Sequence, residues 1–308
     1  MANANTNTTT TLPVQSVTFY NRTLLARLLP NLEYAKYGQK RPIPKGEGSK
    51  VNFRRFNSFP AATTPLTEGV TPDGRALSIA TVEATVAQYG DYVEVSDKLD
   101  VVGIDPVLTE AAEVLGEQGG LTVDTIVRNV VCAGTNVQYA NGKASRGAIT
   151  ATDVLNSKEV AKAVRTLRRN NAKPIDGKHF VGIIDPDGAF DIMQDPLWQD
   201  VSKYANDAKG IMDGEIGRLL GVRFVETTNA PTIDGTVKIH QSMIIGKGAY
   251  GVVDIENGVK PEMIIKARGS AGTSDPLDQR ATAGWKTMFT AVRLDELAMV
   301  RVESAATV

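Results

Sequence analysis

The sequence predicts a soluble chain of mixed α+β class. Three observations carry that reading. Several stretches alternate apolar and polar residues with a period of two, as strands do. Others carry apolar stripes at helical spacing, in blocks of unequal length. The two kinds do not alternate regularly, which argues against a doubly wound sheet or a (β/α)8 barrel. The chain has 308 residues, of which 42% are hydrophobic, 22% charged and 6% aromatic. That composition excludes a wholly disordered, collagen-like or coiled-coil protein, and the length allows one large domain or two or three small ones.

The elements follow in order. Residues 1–19 carry no charged side chain and are rich in Asn and Thr. They read as a polar tail, not as a secretory signal, which needs a basic stretch and then an apolar block. From 20 to 37, Leu24, Leu25, Leu28 and Leu29 give a short helix-like pattern that Pro30 breaks. Pro42-Ile-Pro44 with Gly46 and Gly48 makes a linker. VNFRRFNSF at 51–59 puts Val51, Phe53 and Arg55 on one face, and TVEATVAQYGDYVEVSD at 81–97 alternates Val82, Ala84 and Val86, then Val93 and Val95. Residues 51–97 therefore read as two long strands joined by a wide, irregular tip rich in Thr, Pro and Gly. A two-stranded ribbon is marginal alone in water, and this one has few large aliphatic residues, so it has to lie on its own chain or on a neighbouring copy.

Asp105-Pro106 opens a helix running to about Ala133, with Gly119-Gly120 marking a bend, a break or a close packing contact. Residues 153–169 form an amphipathic helix: Leu155, Val160, Val164 and Leu167 point inward, and Lys158, Lys162, Arg165, Arg168 and Arg169 point outward. FVGII at 180–184 is a buried strand, and 213–226 reads as a short helix turning into a strand. Strands follow near 238–245, 249–255 and 262–267, with two more between Gly284 and Glu303.

Charge is unevenly spread. Residues 20–55 hold nine basic side chains against two acidic ones, a net +7, and residues 56–97 hold Arg75 against six acids, a net −5. The basic stretch is complementary to its acidic neighbour, within one chain or between copies. The whole chain carries a formal charge of −1, so no global drive toward nucleic acid exists. No apolar run reaches the ~18 residues of a membrane helix.

Catalytic signals are weak. The lone cysteine, Cys132, excludes an intrachain disulfide and a thiolate-based zinc cluster. His179 and His240 have no carboxylate or cysteine at ligand spacing and read as structural. Asp185, Asp187 and Asp191 do not fit a calcium loop, and helix capping accounts for the first two. Gly246-Lys-Gly-Ala-Tyr-Gly251 is a literal G-x-G-x-x-G, but VVDIENG follows it, strand-like where a dinucleotide site needs a helix. No metal, no cofactor and no enzymatic activity are expected.

The order of pieces resembles the major capsid proteins of tailed bacteriophages, which share the HK97-like fold, and most closely the coat family of N4-type phages. The resemblance lies in GEIGRLLGVRFVETTNAP (214–231), GKGAYGVVDI (246–255) and SDPLDQRATAGWKTMFTAVRLDELAMVRVE (274–303). It implies an N-terminal arm at 1–50, an extended hairpin loop at 51–97, and a peripheral domain with a long spine helix at 98–144. An axial domain would occupy 145–260, and strands returning to the peripheral domain 261–308. It further implies pentamers and hexamers closing into an icosahedral shell around double-stranded DNA held without sequence specificity. A portal and separate scaffolding or decoration proteins would be partners, with no membrane, and assembly would take place in the host bacterial cytoplasm. On that basis Arg54, Arg55, Phe56, Phe59, Glu68, Asp73, Arg75 and Glu83 are the expected intersubunit contacts. Some such proteins weld subunits through a lysine on the loop; residues 51–97 contain no lysine, so no such bond is expected there. The alternatives are an encapsulin-like cargo shell with the same fold and a nucleotide-binding enzyme built on Gly246–Gly251.

Overall fold

The structure is a computed structural model, and it describes residues 33–44, 46–71, 73–97, 107–199, 215–255, 261–270 and 275–307. The polar tail, the leucine pattern at 24–29 and the Asp105-Pro106 helix start lie outside these residues. In chain order the elements are β1 (Gln39–Ile43), β2 (Lys50–Phe56), β3 (Ile79–Thr85), β4 (Ala87–Ser96), α1 (Val107–Cys132), β5 (Val137–Tyr139), α2 (Ser157–Arg169), β6 (Phe180–Ile184) and α3 (Pro186–Gln194). There follow β7 (Glu215–Leu219), β8 (Val222–Glu226), β9 (Thr232–Ile233), β10 (Ile239–Ile245), β11 (Tyr250–Ile255), β12 (Glu262–Lys266), β13 (Arg280–Arg293) and β14 (Met299–Ser304).

The strands form three sheets among the described residues. A five-stranded sheet runs β1-β11-β13-β12, with β4 also paired to β13. A seven-stranded sheet runs β5-β14-β10-β6-β8-β7, with β9 on β10. The ribbon β2–β3 stands apart as the third. The mixed α+β class is therefore observed, and the chain crosses between the two large sheets three times, the first through α1 from β4 to β5. β10 belongs to one and β11 to the other; β13 belongs to one and β14 to the other. β14 is inserted beside β10 and not beside β13. The two later crossings are bonded to each other: the Gly246 amide donates to the Ala298 carbonyl at 2.7 Å, and the Leu294 and Asp295 amides both donate to the Ala249 carbonyl at 2.8 and 3.0 Å.

Helix α1 is continuous over 26 residues, about 39 Å at 1.5 Å per residue. Of the readings of Gly119-Gly120, close packing is the one observed. A Cβ at Gly119 would stand 3.3 Å from the Trp285 ring and 3.3 Å from Pro261. The Trp285 indole N–H donates to Gln118 Oε1 at 3.1 Å, and Gln118 Nε2 donates to Asp91 Oδ2 at 2.6 Å, tying α1 to β13 and β4. Ala112 and Leu115 pack here on Met263, Ala283 and Trp285. Farther along, Val123, Val127 and Val131 meet Tyr34, Val181, Met243 and Tyr250 in the main core.

The start of the described chain is locked into this core. Tyr34 is fully buried. Its amide donates to Asp124 Oδ1 at 2.8 Å and its carbonyl accepts from the Tyr250 hydroxyl. A second core holds α2 and α3 against the seven-stranded sheet, with Val160, Val164, Leu167 and Ile192 on Phe180, Phe224 and Val302. Asn156 caps α2 by accepting from the Glu159 amide at 3.1 Å, so the inward stripe read from the sequence is the observed one.

Two expectations are corrected. Residues 213–226 hold no helix among those described: Glu215–Leu219 and Val222–Glu226 form a hairpin. Its two turn residues, Leu220 and Gly221, have φ of 53° and 82°, the pattern of a type I′ turn. Leu-Leu-Gly-Val scans as helix by apolarity, but pairing of β8 with β6 decides the conformation. The second correction concerns the ribbon. Residues 79–96 look like one strand by period but are two. β3 pairs with β2, whereas β4 pairs with β13 over ten residues. The free-standing ribbon therefore ends near Val86.

Candidate assembly surface

The ribbon is anchored at its base and bare beyond it. Phe53 on β2 and Ala84 on β3 are buried against Ile43 of β1 and Val253 of β11, with Val51, Val82 and Leu294 around them. Room for the Phe53 ring is made by Gly251, where a Cβ would lie 2.9 Å from Phe53 Cζ. The Arg41 guanidinium lies 5.9 Å from the ring centroid on the other side, a weak cation–π contact. Arg55, two residues on and therefore on the same face, forms an ion pair with Asp295.

Past this point nothing among the described residues covers the ribbon. Every described residue from Arg54 to Ile79 is solvent-exposed. Among them are Phe56 (60%), Phe59 (49%), Leu66 (77%), Val70 (62%), Leu77 (66%) and Ile79 (49%). The tip is closed by few bonds: the Asn57 amide donates to the Ser78 carbonyl at 3.0 Å, and the Asn57 side-chain amide to Ser78 Oγ at 3.0 Å. Isolated exposed apolar residues are ordinary, but a run of large ones on one projecting element marks a contact surface.

Of the residues expected at an intersubunit contact, Arg54, Phe56, Phe59, Glu68, Asp73 and Arg75 lie on this exposed stretch. The other two are engaged within the chain. Glu83 accepts from Lys50 Nζ across the ribbon at 2.7 Å, and Arg55 reaches Asp295. Part of the charge complementarity between the basic and acidic stretches is thus satisfied locally, at the ribbon base. Among the features sequence reasoning missed are the tie of Arg55 to the body and the role of Gly251. Arg55 and Asp295 are 240 residues apart, and no local spacing reports that.

The other polar clusters have structural explanations. Gly246–Gly251 connects β10 to β11, with Gly248 at φ 75°; the element after it is a strand, so no helix terminus faces the turn. Cys132 is buried, and burial pushes its thiol up to about 12, far from a reactive thiolate.

His240 does have carboxylate neighbours, contrary to the sequence reading. Its Nδ1 lies 2.5 Å from Asp185 Oδ2 and 3.9 Å from Asp187 Oδ2. Extending the β6–β10 register, Met243 on Ile183, by three residues brings His240 to the end of β6, which spacing along the chain does not reveal. Asp185 is the N-cap residue of α3 but makes no side-chain cap bond, so its expected capping role is replaced by this pair. The hydrogen bond to Asp185 holds His240 above its usual pKa, against the effect of burial. These three side chains could hold a cation by proximity. The direct His–Asp bond already takes the place between two of the donors, and we read the group as a buried ion pair. His179 Nδ1 similarly lies 3.9 Å from Asp176.

Comparisons with known proteins bear on the family and the fold. The model of the family described as phage capsid protein matches residues 79–302. No curated protein matches the sequence. Among solved structures, the capsid of Ralstonia phage GP4 superposes with a TM-score of 0.71 at 13% identity, covering 88% of each chain. The capsid of cyanophage Pam1 gives 0.68 at 13%, covering 89% of this chain and 92% of that one. A virus-like particle from Pyrococcus furiosus gives 0.54 at 11%, covering 92% and 98%.

Proposed function

This chain belongs to the phage capsid protein family, and from that premise we propose how its surface builds a shell. Its fold is HK97-like and its role is that of a major capsid subunit, a structural protein of the virion. In the reading advanced here, copies associate as pentamers and hexamers and close into an icosahedral shell around packaged double-stranded DNA. That shell is assembled in the host cytoplasm, with a portal and separate scaffolding or decoration proteins as partners.

The ribbon tip is the clamp between copies. The observation that carries this is the exposure of every described residue from 54 to 79, six large apolar side chains among them. Full burial of one such side chain contributes about 1.5–3 kcal/mol. Even a fraction of that, repeated at every contact of a closed particle, gives a cooperative assembly. Arg54, Glu68, Asp73 and Arg75 flank the apolar residues and set the register, each pair being worth only about 0–1 kcal/mol.

The test replaces Phe59, Leu66 and Leu77 with serine and images the product by negative-stain microscopy. None of the three is buried, so the protomer keeps its melting temperature. Closed shells should form from wild type and be lost in the variant. Variant shells indistinguishable from wild type would refute the clamp.

A further inference from the structure

We propose that the leucines of residues 24–32 pack into a groove beside α1 of their own copy, strapping the chain across α1 and the end of β8. This goes beyond the capsid reading and does not depend on it. The groove encloses about 590 Å³ between α1 and the residues that follow β8. From α1 come Val114 and Leu121, 60% and 51% exposed. Seven residues apart, they share one face of the helix and lie about 10 Å apart along its axis. Thr228 and Asn229 also line the groove. The Asn229 side chain is held by α1: its amide donates to Asp124 Oδ2 at 2.8 Å, and its oxygen accepts from Arg128 Nη1 at 2.6 Å. The groove thus has a fixed wall and two apolar side chains that the described residues leave at least half bare.

The place where the described chain begins selects the occupant. Glu33 is itself a lining residue of the groove. Tyr34 follows, fully buried, with its amide donating to Asp124 Oδ1 at 2.8 Å. One carboxylate therefore fixes both the entry of the chain and the groove wall, each on one of its oxygens. The nine residues before Glu33 hold five leucines, Leu24, Leu25, Leu28, Leu29 and Leu32, and one charged side chain, Arg27. Apolar burial, not ion pairing, is the contact such a stretch can make. From Leu28 to Glu33 the chain spans at most about 18 Å, so Leu28, Leu29 and Leu32 are all held within reach of Val114 and Leu121. A segment tethered this closely acts at an effective concentration on the order of millimolar. A second copy or a separate protein would have to exceed that to take its place.

The experiment uses the full chain and reads disulfide formation under mild oxidation with diamide. The native cysteine, Cys132, is buried and stays out of the reaction. Two variants are compared, Leu28→Cys/Leu121→Cys and Leu28→Cys/Val114→Cys. Both positions on α1 are exposed, so the fold keeps its melting temperature. A disulfide needs Cβ atoms about 3.5–4.5 Å apart, and at least one variant should close it within the chain. Adding Leu24→Ser/Leu25→Ser/Leu29→Ser should slow closure about tenfold or more, because apolar docking is lost while the tether is unchanged. An unchanged rate would mean tethering without docking and would overturn the proposal, as would no disulfide in either variant. A chain carrying only Leu28→Cys, co-expressed with one carrying only Leu121→Cys or Val114→Cys, should give no dimer on a non-reducing gel. A dimer there overturns the proposal and assigns the groove to a second copy. Particle formation is not read, so this proposal and the capsid reading fail separately.

Discussion

Truncating Phe53 should release the ribbon without unfolding the body. The side chain is 7% exposed and belongs to a small cluster with Ile43, Ala84 and Val253, separate from the three cores that hold the helices. Loss of a buried phenylalanine removes about 1.5–3 kcal/mol of transfer free energy, and loss of the Arg41 contact about 0.5–1 kcal/mol more. Together these give about 2–4 kcal/mol, or roughly a 30- to 700-fold rise in the undocked fraction at 1.4 kcal/mol per tenfold change. Hydrogen exchange read by mass spectrometry measures it directly. In Phe53→Ala, amides of β2 and β3 should exchange faster by that factor while those of α1 and β10 stay unchanged, because local opening is distinct from global unfolding. Gly251→Ala should reach the same state from the other side, since its new Cβ would fall 2.9 Å from Phe53 Cζ. Equal acceleration across the whole chain, or none in the ribbon, would refute the reasoning.

Gly119→Val should destabilise the protomer despite the low helix propensity of glycine. The gain in propensity is under about 1 kcal/mol, whereas overpacking against Trp285 and Pro261 costs about 1–3 kcal/mol, so the denaturant midpoint should fall. The His240–Asp185 pair predicts a pH dependence. Because the folded pKa of His240 is raised, its stabilisation is complete below about pH 6.5 and is lost as pH rises through the folded value. The melting-temperature difference between wild type and His240→Asn should therefore shrink as pH rises above about 6.5, and a difference that grows would contradict the assignment. Boiled particles should run as monomer on a denaturing gel, since residues 51–97 contain no lysine; a ladder of covalent multimers would overturn that expectation.

What could be read from the sequence was periodic and local. The inward stripe of α2, the buried strand at 180–184 and the two-stranded ribbon all follow from side-chain spacing within one element. Partnership did not follow. Period two marks β3 and β4 alike, yet one pairs with β2 and the other with β13, because both strand faces obey the same rule whatever lies beside them. Arg55, with Asp295 as its partner, and His240, with Asp185, are joined by topology across 240 and 55 residues. The hairpin at 215–226 was hidden because Leu219, Leu220 and Val222 fit a helix as well as a strand, and the left-handed turn at Leu220 is unusual chemistry for its type. Of the candidate surface, the exposed phenylalanines were legible as residues with no core to enter. Glu83 was not legible as the local partner of Lys50.

Two of the three crossings between the large sheets bear on mechanics. The β10–β11 and β13–β14 connections are bonded to each other through Gly246, Ala249, Leu294, Asp295 and Ala298. Twisting one sheet against the other would shear these main-chain bonds at the same time, so the pair resists torsion as a welded joint does and a single-strand tether does not. Whatever angular play a curved lattice demands of its tiles is then left to parts outside the weld, above all the projecting ribbon, whose purchase on the body is a small apolar cluster around Phe53 and Ala84 and one ion pair.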